Sequence, residues 1–169
     1  MITIKQADIT KEDAEVIVNA ANARLMGGGG VDGAIHRAAG ASIIQECAMI
    51  GGCRTGDVVI TNAGRLKAKK IIHTVGPVWQ GGNKGEAELL KGCYKNSLAL
   101  AKKNGLKTIA FPAISTGAYG YPVKEAAEIA LSAGKLYEND FNDIRFVCFS
   151  KEDFDIYNEI WARIKQAKV

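Results

Sequence analysis

The segment NAANARLMGGGGVDGAIHRAAG, Asn19–Gly40, gathers residue types that can do chemistry: amides at Asn19 and Asn22, a run of glycines, and the carboxylate of Asp32 at the start of a helical pattern. Glycines let backbone N–H groups approach a ligand with no side chain between, and a helix start carries roughly half a positive charge. Together they suit a phosphate or another anion. A second segment, ISTGAYGYP at Ile114–Pro122, also joins an apolar run to a helical one and offers Ser115, Thr116, Gly117 and Gly120. An ordinary tight turn accounts for one such loop. Two in one small domain point to a diphosphate, because loops at strand ends of an α/β sheet can border a common crevice.

Other chemistries fit less well. Gly28, Gly30 and Gly33 satisfy GxGxxG, but in the dinucleotide fold the glycines follow their strand directly, and here Ala20–Met26 intervene. Ser115 follows a strand pattern and His36 or His73 could serve it, yet Ala113 stands where GxSxG requires glycine. Two histidines and the dispersed Cys47, Cys53, Cys93 and Cys148 show no CxxC and no zinc spacing, so reduced thiols and no metal site are expected. Taken singly, Asp8 and Asp32 read as caps, Asn19 and Asn22 as loop ties, His36 as a packed or capping residue and His73 as part of an interior strand.

Short β-branched runs alternate with helical periodicity, the pattern of a sheet covered by helices on both faces. Strands are predicted at Ile2–Gln6, Glu15–Asn19, Asp57–Thr61, Lys70–Val75, Thr108–Pro112 and Ile144–Phe149. One helix is predicted over Val31–Met49, with Ile35, Ala38, Ala39, Ile43 and Cys47 on its buried face, and another over Glu86–Asn104, ended by Gly105. A third opens on Pro122 and runs to Tyr137, with proline in its first turn. The last starts at a Ser150/Asp153 capping box and buries Phe154, Tyr157, Ile160, Trp161 and Ile164. Trp79 falls in a loop from Gly76 to Gly85.

The length of 169 residues and 47% hydrophobic content predict a single domain over residues 1–169. With no secretory leader and no apolar run near the ~20 residues that span a bilayer, a cytoplasmic protein without membrane contact is expected. The formal charge of +4 is scattered, and Lys67, Lys69 and Lys70 make only a short basic cluster. That reads as a solvated surface; RNA binding stays open as a secondary property but is not indicated.

In order along the chain, ADIT (Ala7–Thr10), VIVNAAN (Val16–Asn22), the GGGGVDGAIH stretch, HTVGP (His73–Pro77), FPAISTGAYGYP (Phe111–Pro122) and FVCF (Phe146–Phe149) resemble the macrodomain family, in its MacroD-type branch of ADP-ribose hydrolases. The resemblance implies a three-layer α/β/α fold with a mixed sheet of about six strands and ADP-ribose in a cleft at its crest. It implies that Asp8 accepts from the adenine amino group beside the Ile9 backbone, and that Phe149 contacts the adenine face. Asn19 joins the ADP-ribose-binding set. Gly29, Gly30 and Val31 would approach the phosphates from one loop, with Ser115, Thr116, Gly117, Ala118 and Tyr119 from the other. Asn22 would bond the distal ribose, and Asp32 would stand at the scissile bond as the acidic catalytic group.

The implied substrates are O-acetyl-ADP-ribose and proteins mono-ADP-ribosylated on Glu or Asp, with a non-catalytic ADP-ribose reader as the alternative. No cofactor is implied. The zinc-dependent branch carries histidine and cysteine ligands in its first loop, and Ala23–Gly33 contains neither. Ala7 departs from the glycine usual at that position, with an expected effect only on the turn near adenine, and Gly51–Gly56 carries no assigned role.

Overall fold

The structure, a computed structural model, describes residues 1–167. Six strands form one sheet in the order β1-β6-β5-β2-β4-β3: β1 Ile2–Gln6, β2 Val16–Ala20, β3 Val58–Asn62, β4 Lys70–Thr74, β5 Thr108–Phe111 and β6 Asp143–Cys148. All neighbours pair parallel except β3 with β4, so the sheet is mixed as expected.

Alternation along β2 separates two cores. Val16 and Val18 join a cluster built on α3 (Glu86–Lys103), α4 (Val123–Tyr137) and α5 (Lys151–Gln166). Ile17 joins the other, built on α1 (Gly30–Ala39) and α2 (Ala41–Ile50). The result is a three-layer α/β/α fold.

One predicted helix is two. The apolar periodicity runs through Gly40, but this residue adopts φ 96° and ψ −179°, which breaks the ladder and makes it the last cap of α1 and the first of α2. Arg65 N–H donates to the Ala39 carbonyl that α1 leaves open, and the Arg65 guanidinium lies against Gly40. Other boundaries moved by a residue or two. Pro122 precedes α4 as its N-cap, and Ser150 Oγ caps α5 by accepting from Asp153 N–H at 3.1 Å. Gly105 lies just past α3 with φ 71°. On α5, Tyr157 and Ile160 are buried while Phe154, Trp161 and Ile164 pack at the margin. Trp79 is half-buried, its ring 4.7 Å from that of Tyr121. No helix among the described residues is long and apolar enough to cross a membrane.

Candidate active site

The carboxyl ends of the parallel strands all open on one edge of the sheet, where ligands of open α/β folds bind. Ala7 and Asp8 follow β1, Asn22 to Gly29 follow β2, Ser115 to Tyr119 follow β5 and Phe149 follows β6. β2 and β5 pair only through Val16 with Ile109 and Ile17 with Ala110, beyond which their chains diverge into the two glycine-bearing loops. A crevice at that divergence follows from the topology.

At the first loop, the Asn22 side chain ties the chain to itself: Nδ2 donates to the Gly27 carbonyl at 2.8 Å, and Oδ1 accepts from the N–H groups of Arg24 and Leu25 at 3.1 and 3.0 Å. Leu25 is held at φ 62°, a conformation costly for a branched side chain. The loop then passes over α1 so closely that a Cβ on Gly33 would collide with the Gly28 carbonyl, which makes glycine obligatory there. Gly29 and Gly30 are exposed at the mouth and Val31 is half-buried behind them.

Asp32 lies in the first turn of α1, only 6% exposed, where the helix end favours an anion. Its Oδ1 accepts from Asn19 Nδ2 at 2.8 Å and lies 3.3 Å from His36 Nε2, although neither nitrogen of His36 has the geometry of a hydrogen bond. A Cβ built on Gly28 would stand 3.3 Å from Asp32 Oδ2 and 3.4 Å from Asn22 Nδ2, so the two side chains converge beneath that glycine. Asn19 is placed differently from the expectation of a ligand contact. It is fully buried, and its Nδ2 bonds Asp32 and His73 Nδ1, the latter at 3.1 Å. Asn19 therefore supports the site from behind.

In the second loop Ser115 is buried at φ 68°, and its hydroxyl has no hydrogen-bond partner among the described residues. It packs so tightly on Gly76 that a Cβ there would collide with Ser115 Oγ. No histidine bonds Ser115, which leaves the serine-nucleophile arrangement unassembled. Thr116 Oγ1 donates to the Ala113 carbonyl at 3.2 Å, and Gly117 and Ala118 are exposed. The Tyr119 carbonyl accepts from Trp79 N–H at 2.8 Å, anchoring the loop from the side.

At the other end, Asp8 Oδ1 accepts from Thr10 N–H and Oγ1 at 3.0 and 2.7 Å, capping a 3-10 turn over Ile9–Lys11. These bonds hold the Asp8 carboxyl below its ordinary range. Ile9 is buried and Phe149 is 90% exposed. Ala7 N–H donates to the Cys148 carbonyl at 3.1 Å, so its methyl is accommodated in a strand-like extension.

Spacing did not reveal one cluster. His36, Cys47 and His73, from α1, α2 and β4, bring ligand-type atoms within 4.8 Å of one another, and all three are buried. His73 is already engaged, through Asn19 at Nδ1 and Thr61 Oγ1 at Nε2, the latter at 2.9 Å. Burial, with His36 nearby, pushes its pKa down to about 4, and burial raises that of the Cys47 thiol. The roles of His73 and Thr61 went unread because each ends an apolar strand run. A polar residue closing IIH or VIT is the signal that could have marked them. Within Gly51–Gly56, the residues Gly52, Cys53 and Arg54 line one wall of a separate open hollow of about 600 Å³ against α3, where Arg54 pairs with Asp57 at 3.4 Å.

The chain is thus an α/β/α domain with two glycine-bearing loops and the buried carboxylate of Asp32 at the carboxyl ends of its strands. The Macro domain model matches residues 18–130, and the chain belongs to that family. A macro domain-containing protein of Chlorobaculum tepidum is 54% identical over 160 residues, covering 93% of each chain. A protein of Cronobacter turicensis named O-acetyl-ADP-ribose deacetylase is 51% identical over 166 residues, covering 94% of each. A mutant of the Oceanobacillus iheyensis macrodomain, solved with ADPR, superposes with a TM-score of 0.91 at 46% identity, covering 96% of this chain and 92% of that one.

Proposed function

We propose that this chain, as a single domain, binds ADP-ribose and hydrolyses acyl esters on its distal ribose. The substrates are O-acetyl-ADP-ribose and the ester joining mono-ADP-ribose to a protein Glu or Asp. The observation that carries this reading is the placement of Asp32: a buried carboxylate with one oxygen held from behind and the other beside Gly28 and Asn22 at the loop that would meet the distal ribose.

In this reading Asp8, with the Ile9 backbone, takes the adenine amino group and Phe149 its face. Amides of Gly29, Gly30 and Val31 meet the phosphates opposite Ser115 to Tyr119, because backbone N–H groups neutralise oxyanions without a mobile cation. Asn22 orients the distal ribose. Water loses a proton to Asp32, assisted by a substrate phosphate oxygen, as its oxygen bonds the acyl carbon. The tetrahedral adduct then expels the ribose oxygen, which takes up a proton, giving ADP-ribose and the free acid. The step requires no cofactor or metal, since the carboxylate supplies the base.

The test is turnover of O-acetyl-ADP-ribose, and of a peptide mono-ADP-ribosylated on Glu, by the wild-type chain after exhaustive chelation. Release of acetate or peptide is expected. ADP-ribose binding without turnover would establish the reader alternative instead.

A further inference from the structure

On the sheet face beneath α1 and α2, three adjacent strands each place one polar side chain near the end of an apolar run: Asn19 on β2, His73 on β4 and Thr61 on β3. Asn19 and His73 are register partners, and all three lie on the Ile17 and Ile71 side of the sheet. Their exposures are 0%, 0% and 2%, so none can serve as a surface contact for a ligand. Buried polar groups are costly unless fully bonded, and an apolar row would fill the same space without that cost.

We infer that Thr61, His73 and Asn19 form a hydrogen-bond chain of fixed donor order that grips Asp32 by Oδ1 and leaves Oδ2 turned toward the attacking water. This inference rests on the reading of Asp32 as the general base. The direction of the chain follows from donor and acceptor inventory. Asn19 must aim its NH2 at Asp32, because the flipped amide would set a carbonyl oxygen against a carboxylate oxygen 2.8 Å away. The same NH2 supplies its second hydrogen to His73 Nδ1, which must then be bare. The proton of the neutral ring therefore sits on Nε2 and is donated to Thr61 Oγ1 at 2.9 Å, and the Thr61 hydroxyl donates onward to the Asn62 carbonyl at 2.9 Å. The donors thus run outward from the Asn19 amide, to Asp32 on one side and through His73 and Thr61 to the Asn62 carbonyl on the other, so that Thr61 fixes the histidine tautomer and the histidine fixes the amide. Asn19, His73 and Thr61 are positioning residues, acting on the reaction only through Asp32.

The chain is tested in the full-length protein by kinetics of O-acetyl-ADP-ribose hydrolysis, ADP-ribose calorimetry and 15N NMR of labelled histidine. In the wild type, His73 should carry its proton on Nε2 alone, and Asn19→Ala should populate both tautomers. Asn19→Ala should lower kcat by about tenfold or more, the scale of one hydrogen bond to a charged group, with KM and the ADP-ribose Kd unchanged. Thr61→Val, nearly isosteric, should show a smaller fall in kcat with the same unchanged binding, and Thr61→Ser should restore the wild-type rate. Should Asn19→Ala fail to fold, the two Thr61 variants carry the kinetic test.

A proton on His73 Nδ1 in the wild type, a wild-type kcat in Asn19→Ala or Thr61→Val, or a parallel loss of binding and rate in Thr61→Val overturns the inference. Failure of the base reading looks different. There Asp32→Asn keeps the wild-type rate, or the wild type shows no turnover, while the histidine tautomer still decides the direction of the chain.

Discussion

The two ends of the cleft are built on opposite plans. At the end proposed for the distal ribose the Asp32 carboxylate is 6% exposed and held by Asn19, itself fully enclosed. At the end proposed for adenine Asp8 is exposed, and Phe149 stands 90% exposed. Chemistry needs a group fixed before the substrate arrives, since misplacement by an ångström can cost a hundredfold in rate. Recognition of a flat, polar-edged base does not, because the ligand itself covers an aromatic face. In the proposed function burial thus marks the end where bonds change, and exposure the end that selects.

The comparison is broken most directly at Asp32. Asp32→Ala should reduce single-turnover deacylation by about a hundred- to ten-thousandfold while ADP-ribose binding persists, because phosphate affinity comes from backbone amides. Rate and affinity measured on the same variant, with circular dichroism as a folding control, check this. An equal loss of both would make Asp32 a structural cap.

A second prediction concerns pH and the buried end alone. The folded-state pKa of His73 is depressed to about 4 by burial and His36. Between its ordinary value near 6.5 and about 4, the unfolded chain binds a proton that the native state refuses, so stability rises with pH across that window. Urea unfolding at several pH values should show this slope in the wild type and a shallower one in His73→Gln. Identical slopes would mean that another group titrates there.

At the open end the effects are smaller and fall on affinity. Asp8→Ala should weaken ADP-ribose binding by about 1 to 3 kcal/mol, the range for a hydrogen bond with a charged acceptor, and should leave the rate at saturating substrate unchanged. Calorimetry with ADP-ribose, and with ribose 5-phosphate as a ligand lacking the base, tests it: a similar loss for both would place Asp8 elsewhere in recognition. Phe149→Ala should cost about 0.5 to 1.5 kcal/mol of affinity, with no change in melting temperature since the ring supports no core. A large fall in melting temperature would show that the ring is structural and erase the contrast between the two ends.

Much of this contrast is legible in the amino-acid sequence. Hydrophobic period identifies all six strands and the layered class, and the GGGGVDG and STGAYG segments mark both loops, because backbone approach to an anion demands particular residues locally. Asp32 stands out as the carboxylate beside the glycines. The broken helix is not legible, since Gly40 is tolerated within an apolar stripe and only the Arg65 contact to Ala39 shows that the chain ends one helix there and begins another.

Asn19, His73 and Thr61 illustrate the remaining gap. Their types and strand positions are written in the chain, but 54 residues separate Asn19 from His73, and their bond exists only because β2 and β4 pair in one register. A shift of one residue would turn His73 to the opposite face and leave Asn19 without its partner. The sequence by itself therefore determined which chemistries were available and which loops would carry them. Tertiary structure alone decided that Asn19 faces inward and that one oxygen of Asp32 is held, because hydrogen bonds between distant strands depend on register and packing, which no local pattern encodes.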